Sequence, residues 1–227
     1  MSTKIYVESF KEPQDYEAFF LKQLHYQNKV LRGDALGYFL FLEHDDVYTV
    51  GRFAKLYINA NSHLHVPIIK STRGGSITYH GLGQLVFYPI LNIGILKLKL
   101  KDFVDILQET VIEILSMFNL VGRKNVYGPG VWIKNKKVAS IGISIRRGVS
   151  MHGISINLDC SIDKFYLIEP CGNPNTLVGN ISDYKKIKKH EFIELLSKNF
   201  LNQLKLKTSY PKKNRISLLA DCSESEP

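Results

Sequence analysis

The sequence predicts a mixed α+β fold, a β-sheet core packed with helices, on three observations. Three long stretches carry apolar residues at helical spacing, six short apolar runs are strand-like, and 13 of the 16 glycines fall between Gly74 and Gly179, where most of those runs lie. The 227 residues are 44% apolar and 22% charged, the balance of one domain able to bury a substantial core. That domain is expected over residues 1–206. Residues 207–227 are polar, weakly patterned and expected to be loosely held.

The elements follow in order. Gln14 to Arg32 places Tyr16, Phe19, Phe20, Leu24, Val30 and Leu31 at mostly helical spacing, with Pro13 suited to the first helical position. Strand-like runs come next at Tyr38 to Leu42, Val47 to Val50 and Leu85 to Ile93. A second helix is expected to begin near Asp102, a good capping residue. Phe103, Ile106, Leu107, Val111, Ile114, Leu115 and Phe118 form its apolar stripe. Further strands are expected at Val131 to Ile133, Val138 to Ile145 and Ile154 to Ile162, and a third helix at Lys189 to Leu204.

Several function classes are set aside by composition. The longest apolar runs are about seven residues, whereas a membrane-spanning helix needs roughly 20. The first 31 residues have no Arg but contain Glu8, Glu12, Asp15 and Glu17, unlike a secretory or organellar leader, so a cytoplasmic setting is expected. Cys160, Cys171 and Cys222 are odd in number, far apart and without zinc-type His/Cys spacing, which reads as reduced thiols and no metal. The formal charge of +9 fits nucleic acid, an anionic surface or an acidic protein partner.

Four clusters hold the chemistry. In Arg73-Gly74-Gly75-Ser76-Ile77-Thr78-Tyr79-His80-Gly81-Leu82-Gly83-Gln84, glycine N–H groups and a cation are offered to a carbonyl or phosphate. It is neither a P-loop nor a dinucleotide fingerprint, and it also reads as a plain hairpin loop. In Val131 to Ile143, which includes Ser140, Ile141 and Gly142, Lys134 to Lys136 form a polar turn. Alternation then sets Lys137 on the face of Ala139, Ile141, Ile143 and Ile145. An ammonium there either snorkels out at the strand end or sits partly desolvated, as a catalytic lysine requires.

In Met151 to Cys160, Ile154, Ile156, Leu158, Cys160 and Ile162 share one parity, so Cys160 is expected in the core as an inert thiol. His152 precedes that run. His80 and His152 each read as a structural histidine or as a reserve catalytic group. In Glu169 to Asn175, Cys171 sits between Pro170 and Gly172 among turn formers, where a sulfur can face a cleft. A nucleophilic role for it needs a nearby cation, for which Lys137 is the candidate.

Taken together, RGGSITYHGLGQL (Arg73 to Leu85), KKVASIG (Lys136 to Gly142), RRGVSMHGISIN (Arg146 to Asn157) and PCG (Pro170 to Gly172) resemble the lipoyl(octanoyl) transferase family, lipoate-biosynthesis protein B. The blocks match in order and spacing, and the resemblance runs from the first helix to about Asp183. It implies the α/β architecture shared with lipoate ligases and the catalytic domain of biotin protein ligases. It also implies Cys171 as the acyl-thioester cysteine and Lys137 as the lysine that lowers its pKa. Arg73 to His80, Ser140 to Gly142 and Gly153 to Ser155 (Gly153, Ile154, Ser155) are implied as acyl-binding segments. Leu82 stands where the family usually has Pro, and Ser155 where it usually has Ala.

The activity implied is transfer of an octanoyl group from octanoyl-acyl carrier protein to a lysine of a lipoyl domain, without cofactor. Implied acceptors are the lipoyl domains of 2-oxoacid dehydrogenase E2 subunits and the glycine cleavage H protein. Two enzyme alternatives share the fold, an ATP-dependent lipoate or biotin ligase and a lipoyl-domain amidotransferase. A nucleic-acid-binding module is the alternative from a different class, resting on the +9 charge with aromatic residues nearby. Charge is unevenly spread: residues 184–215 hold 10 basic and 2 acidic side chains, a surplus of +8. That segment is expected either to steer an acidic carrier or to form an ordinary solvated helix face.

Overall fold

A computed structural model describes residues 2–54, 66–168, 177–208 and 217–220. The central strand β6 (Gln84–Leu91) sets the layering, because every residue in it is buried. Leu85, Phe87 and Leu91 join one apolar cluster, while Val86, Tyr88 and Ile90 join another on the opposite face. Strand β2 (Gly37–Leu42) divides in the same way, with Phe39 and Phe41 on the first face and Tyr38, Leu40 and Leu42 on the second. Both strands are therefore sandwiched.

Helix α1 (Tyr16–Arg32) covers the second face with Phe19, Tyr26 and Val30. Its N-cap is Asp15, whose carboxylate accepts from Ala18 N at 2.8 Å, so Pro13 lies just outside rather than at the first helical position. Helices α2 (Leu100–Met117) and α3 (Lys189–Lys207) cover the first face, where Phe200 packs edge-on against Phe39 and Phe87. Asp102 falls one turn inside α2, where its carboxylate accepts from Lys99 N at 3.1 Å.

The large sheet has eight strands in the order β11-β1-β2-β6-β10-β9-β8-β7. Strand β1 (Lys4–Ser9) runs parallel to both β2 and β11 (Ser217–Ala220), and the remaining pairs are antiparallel. Strand β11 lies in the stretch expected to be loosely held. Strands β7 (Gly122–Asn125), β8 (Gly128–Ile133), β9 (Lys136–Arg146) and β10 (Val149–Asn157) complete that sheet. A second sheet, β4-β3-β5, is built from β3 (Val47–Val50), β4 (Ile68–Lys70) and β5 (Ile77–His80). Strands β1, β4, β5, β7 and β11 carry too short or too polar a pattern to stand out in the sequence.

The run Ile154 to Ile162 differs from expectation. Strand β10 begins at Val149 and ends at Asn157, and Ile162 opens a 3-10 turn, Ile162–Leu167. Ile154, Ile156 and Leu158 pack on the first face. Cys160 belongs instead to a third cluster with Tyr48, Tyr79 and Phe165. Its thiol is buried, donates to Asn180 Oδ1 at 3.3 Å, and is pushed up to about 12 chiefly by burial, which fits an inert core group. Among the described residues no helix is long and apolar enough to cross a membrane.

Candidate active site

A cleft of about 710 Å³, including its open mouth, lies between the two sheets. Its floor is the second face of the large sheet: Val86 and Tyr88 from β6, Gly153 and Ser155 from β10, Ser140 and Gly142 from β9. Its roof is the loop from Arg73 to Ser76 with Ile77, Thr78 and His80 of β5, and Tyr16 of α1 closes one side. Lys137, Ile141 and Ile154 also reach it, as do Tyr127, Gly128 and Pro129 from the β7–β8 hairpin.

The roof loop is pinned to the floor. Gly74 N donates to Ile143 O at 3.1 Å, which spends one of the glycine N–H groups on structure rather than on a ligand. Gly142 permits this approach, since a Cβ there would meet Arg73 Cδ at 2.9 Å. Arg73 is 8% exposed; its guanidinium donates to the backbone and hydroxyl oxygens of Thr49 and, at 3.0 Å, to Gly74 O. The loop is thus built around a buried cation. Tyr79 alternates away from the cleft, where its hydroxyl donates to Asp46, which also pairs with Lys164. Of the expected acyl-binding residues, Gly74 and Tyr79 do not line the cleft and the other twelve do.

Lys137 is 3% exposed, with Nζ 5.0 Å from the centre of the Trp132 ring. Its backbone N donates to Leu177 O at 2.8 Å and its carbonyl accepts from Gly179 N at 3.1 Å. The segment bonded to it is where the described chain resumes after residues 169–176. Cys171 falls in that stretch and lies outside the described residues.

Three histidines and two tyrosines cluster at the cleft, and their partners fix most of the protons. His44 Nδ1 donates to Gln14 O at 2.8 Å, so in the neutral ring Nε2 accepts from the Tyr88 hydroxyl at 2.8 Å. Gln84 Nε2 donates to Asn157 Oδ1 at 2.9 Å, so Gln84 Oε1 faces His80 Nδ1 at 2.6 Å and that nitrogen carries the hydrogen. Burial lowers all three rings: His44 to about 4, His152 to about 3, and His80 well below the usual range, with Arg73 adding to the effect on His80 and His152. Burial likewise holds Tyr88 well above the usual phenol range. All are neutral at pH 7.

His152 reaches the cleft against its strand parity. The β10–β6 register places Pro89 opposite it, and Pro89 has no N–H to continue the ladder. The backbone of His152 takes φ 61°, and its N–H donates instead to Gln23 Oε1 of α1 at 2.9 Å. The ring turns onto the α1 face, stacks on Phe20 at 6.0 Å and holds Thr72 Oγ1 at 2.9 Å. Tyr16, Tyr88, Val86 and the Tyr127–Pro129 hairpin were not legible as cleft residues. Pro89 within an apolar strand was the one signal that could have exposed the irregularity at His152.

Residues 15–201 match the lipoyl protein ligase A/B catalytic domain. The octanoyltransferase of Dechloromonas aromatica is 35% identical over 164 residues, covering 72% of this chain and 80% of the relative. That of Rickettsia bellii is 36% identical over 199 residues, covering 81% and 95%. Among solved structures, a bi-partite lipoate protein ligase of Thermoplasma acidophilum, described with its E2 lipoyl domain, superposes with a TM-score of 0.67 at 15% identity over 97% of this chain and 88% of that one. Lipoate-protein ligase A bound with ATP gives 0.66 at 17% identity over 97% and 90%. At such identities these two establish the mixed α+β fold. The sequence relatives establish more: the chain belongs to the lipoyl protein ligase A/B catalytic-domain family, with the octanoyltransferases, and is an acyltransferase.

Proposed function

We propose that the protein moves an octanoyl group from octanoyl-acyl carrier protein to a lipoyl-domain lysine through a thioester on Cys171. In the first step the Cys171 thiolate attacks the thioester carbonyl, the carrier's C–S bond breaks, and the departing thiolate takes a proton from Lys137. In the second step the substrate amine attacks the acyl-enzyme and neutral Lys137 accepts its proton as the Cys171 thiolate leaves. The observation that carries this reading is Lys137 itself, a lysine 3% exposed in the cleft wall and bonded through its backbone to the segment that follows the Cys171 loop.

Gly75 and Ser76 line the roof, and neither N–H has an acceptor among the described residues, which suits them to receive the thioester oxygen as charge develops. The remaining cleft residues expected to bind acyl group, from Arg73 to His80, Ser140 to Gly142 and Gly153 to Ser155, would hold the alkyl chain. The six methylenes of an octanoyl chain, buried at about 0.8 kcal/mol each, contribute about 5 kcal/mol. The thioester arrives activated, so the route uses no nucleotide. Residues 1–206 would act as one catalytic domain in the cytoplasm. The E2 lipoyl domains and the glycine cleavage H protein are the acceptors this reading names.

The test is intact-mass measurement after incubation with octanoyl-acyl carrier protein and no ATP. An octanoyl adduct that is labile to thiols and missing in Cys171→Ala is the expected result. A ligase would form no adduct without nucleotide, and an unchanged adduct in Cys171→Ala would place the acyl group elsewhere.

A further inference from the structure

Six serine and threonine residues are buried among the described residues, and they divide by position. Thr49, Ser71, Thr110 and Ser150, which do not line the cleft, each share a side-chain hydrogen bond: with Arg73, with Tyr16, with Ile106 O and with Pro89 O. Thr78 and Ser155 line the cleft, are 7% and 5% exposed, and have no side-chain hydrogen bond to any described residue. Two cleft-wall serines that are less buried as whole residues, Ser140 and Ser76, likewise have no side-chain hydrogen bond to a described residue. Ser140 is the direct cross-strand partner of Ser155, and Ser76 Oγ is buried with no hydrogen-bond partner among the described residues. Hydroxyls from the floor (Ser140, Ser155) and from the roof (Ser76, Thr78) thus form a polar band in a cleft whose wall also holds the apolar Ile77 and Val86 and the polar Arg73, His80, Tyr88 and Lys137.

A saturated alkyl chain filling this cleft would strip water from that band and give nothing back, since a methylene neither donates nor accepts. A chain carrying a hydroxyl would restore the lost bonds, because an alcohol and a serine each donate and accept. We propose that the protein accepts hydroxylated medium-chain acyl thioesters as a second class of donor, with Ser155 the residue that selects for the hydroxyl. The inference rests on the acyl-enzyme reading above. The covalent step is unchanged: the Cys171 sulfur bonds to the acyl carbon, the donor C–S bond breaks, and the departing thiolate takes the proton from Lys137. The chain hydroxyl is neither oxidised nor transferred.

The experiment offers the full-length protein pantetheine thioesters of octanoate and of octanoates bearing one hydroxyl at carbon 3, 5 or 8. Relative kcat/KM for acylation is read by intact mass in the wild type, Ser155→Ala and Ser140→Ala. At least one hydroxylated donor is expected to load at a rate comparable to octanoyl, with its kcat/KM relative to octanoyl falling about tenfold in Ser155→Ala. A merely structural role for Ser155 would slow both donors together and leave the ratio alone. An unchanged ratio, or a wild type that loads octanoyl but no hydroxylated chain, overturns the proposal and assigns the band to water. Failure to load octanoyl at all is a different result and sinks the acyl-enzyme reading instead. In that event, calorimetric binding of octanoic and hydroxyoctanoic acids to wild type and Ser155→Ala still decides whether the hydroxyl is recognised.

Discussion

Lys137 occupies an environment that few lysines tolerate. It is 3% exposed, its ammonium lies over the Trp132 ring, and a Cβ at Gly130 would meet its Cε at 2.5 Å. The glycine makes room for the stem, and the indole face gives the cation a partner when it is charged. Arginine at this position stays charged at pH 7 and brings a larger planar head into a space already filled. Lys137→Arg is therefore expected to lower acyl transfer by about 10²- to 10⁴-fold with the melting temperature measured alongside, the range for losing a positioned acid–base group. A transfer rate near that of the wild type would remove the proton-accepting role. The sequence marked Lys137 as an unusual lysine but misplaced it: simple alternation puts it on the face of Ala139 and Ile143, which pack in the core, whereas a bulge at Val138 in β9 turns Lys137 to the opposite face, in the cleft wall. His152 stayed ambiguous, because its route into the cleft depends on a positive φ that alternation cannot foresee.

At the scale of elements, the turn between β5 and β6 is instructive. Gln84 N donates to Gly81 O at 3.1 Å and Gly83 has φ 80°, which makes Gly81 to Gln84 a type II-like turn with glycine where positive φ is required. A Cβ on Gly83 would also lie 2.2 Å from Asp159 O. Leu82 occupies the position where proline is common in such turns, and its side chain is 57% exposed. Leu82→Pro should therefore raise stability by about 0.4–1 kcal/mol, mainly by restricting the unfolded chain, and chemical denaturation measures it. A loss of stability would mean that the backbone at Leu82 is incompatible with proline. Helices and long strands were read with ends off by a few residues, because packing rather than local pattern decides where a ladder stops. Pro89 ends the regular β6–β10 pairing, and there Ser150 bridges the strands, its hydroxyl donating to Pro89 O at 2.6 Å and accepting from Leu91 N at 2.9 Å.

For the whole molecule, the buried neutral histidines set a stability window. In the unfolded chain each titrates near 6.5, whereas His44 is lowered to about 4, His152 to about 3 and His80 well below the usual range. Below 6.5 the unfolded state therefore binds protons that the folded state refuses. The contribution is complete above that pH and is lost as pH falls toward 4 and then 3. His44 and His152 should each cost about 2 kcal/mol by pH 5, with His80 acting in the same direction, so the melting temperature should drop by on the order of 10 °C between pH 7.5 and 5.0. The paired carboxylates of Asp46, Asp105 and Glu109, held below their usual range, titrate under that interval and do not contribute to it. A melting temperature flat across this interval would show that the rings do not stay neutral on folding.

Charge is the other whole-molecule property, and the structure reads it more narrowly than composition does. Lys189 pairs with Glu43 at 3.2 Å, Lys207 pairs with Glu109, and Lys185 lies over the Phe118 ring. Part of the surplus in residues 184–215 is therefore engaged within the fold rather than presented as an unbroken patch. Exposed pairs of this kind contribute little to stability.

The sequence by itself determined the mixed α+β class, the three helices, the family and the segments that line the cleft. Hydrophobic period and glycine placement are local properties, and four ordered blocks are specific enough to name relatives. Only the tertiary structure decided that Arg73 is a buried strut beneath the loop it was expected to serve, that Tyr79 faces away from the cleft, and that His152 turns into it. It also decided which hydroxyls lack partners. Each of these depends on what sits opposite a residue in a neighbouring strand or sheet, and such pairings are fixed by packing across long separations rather than by any spacing along the chain.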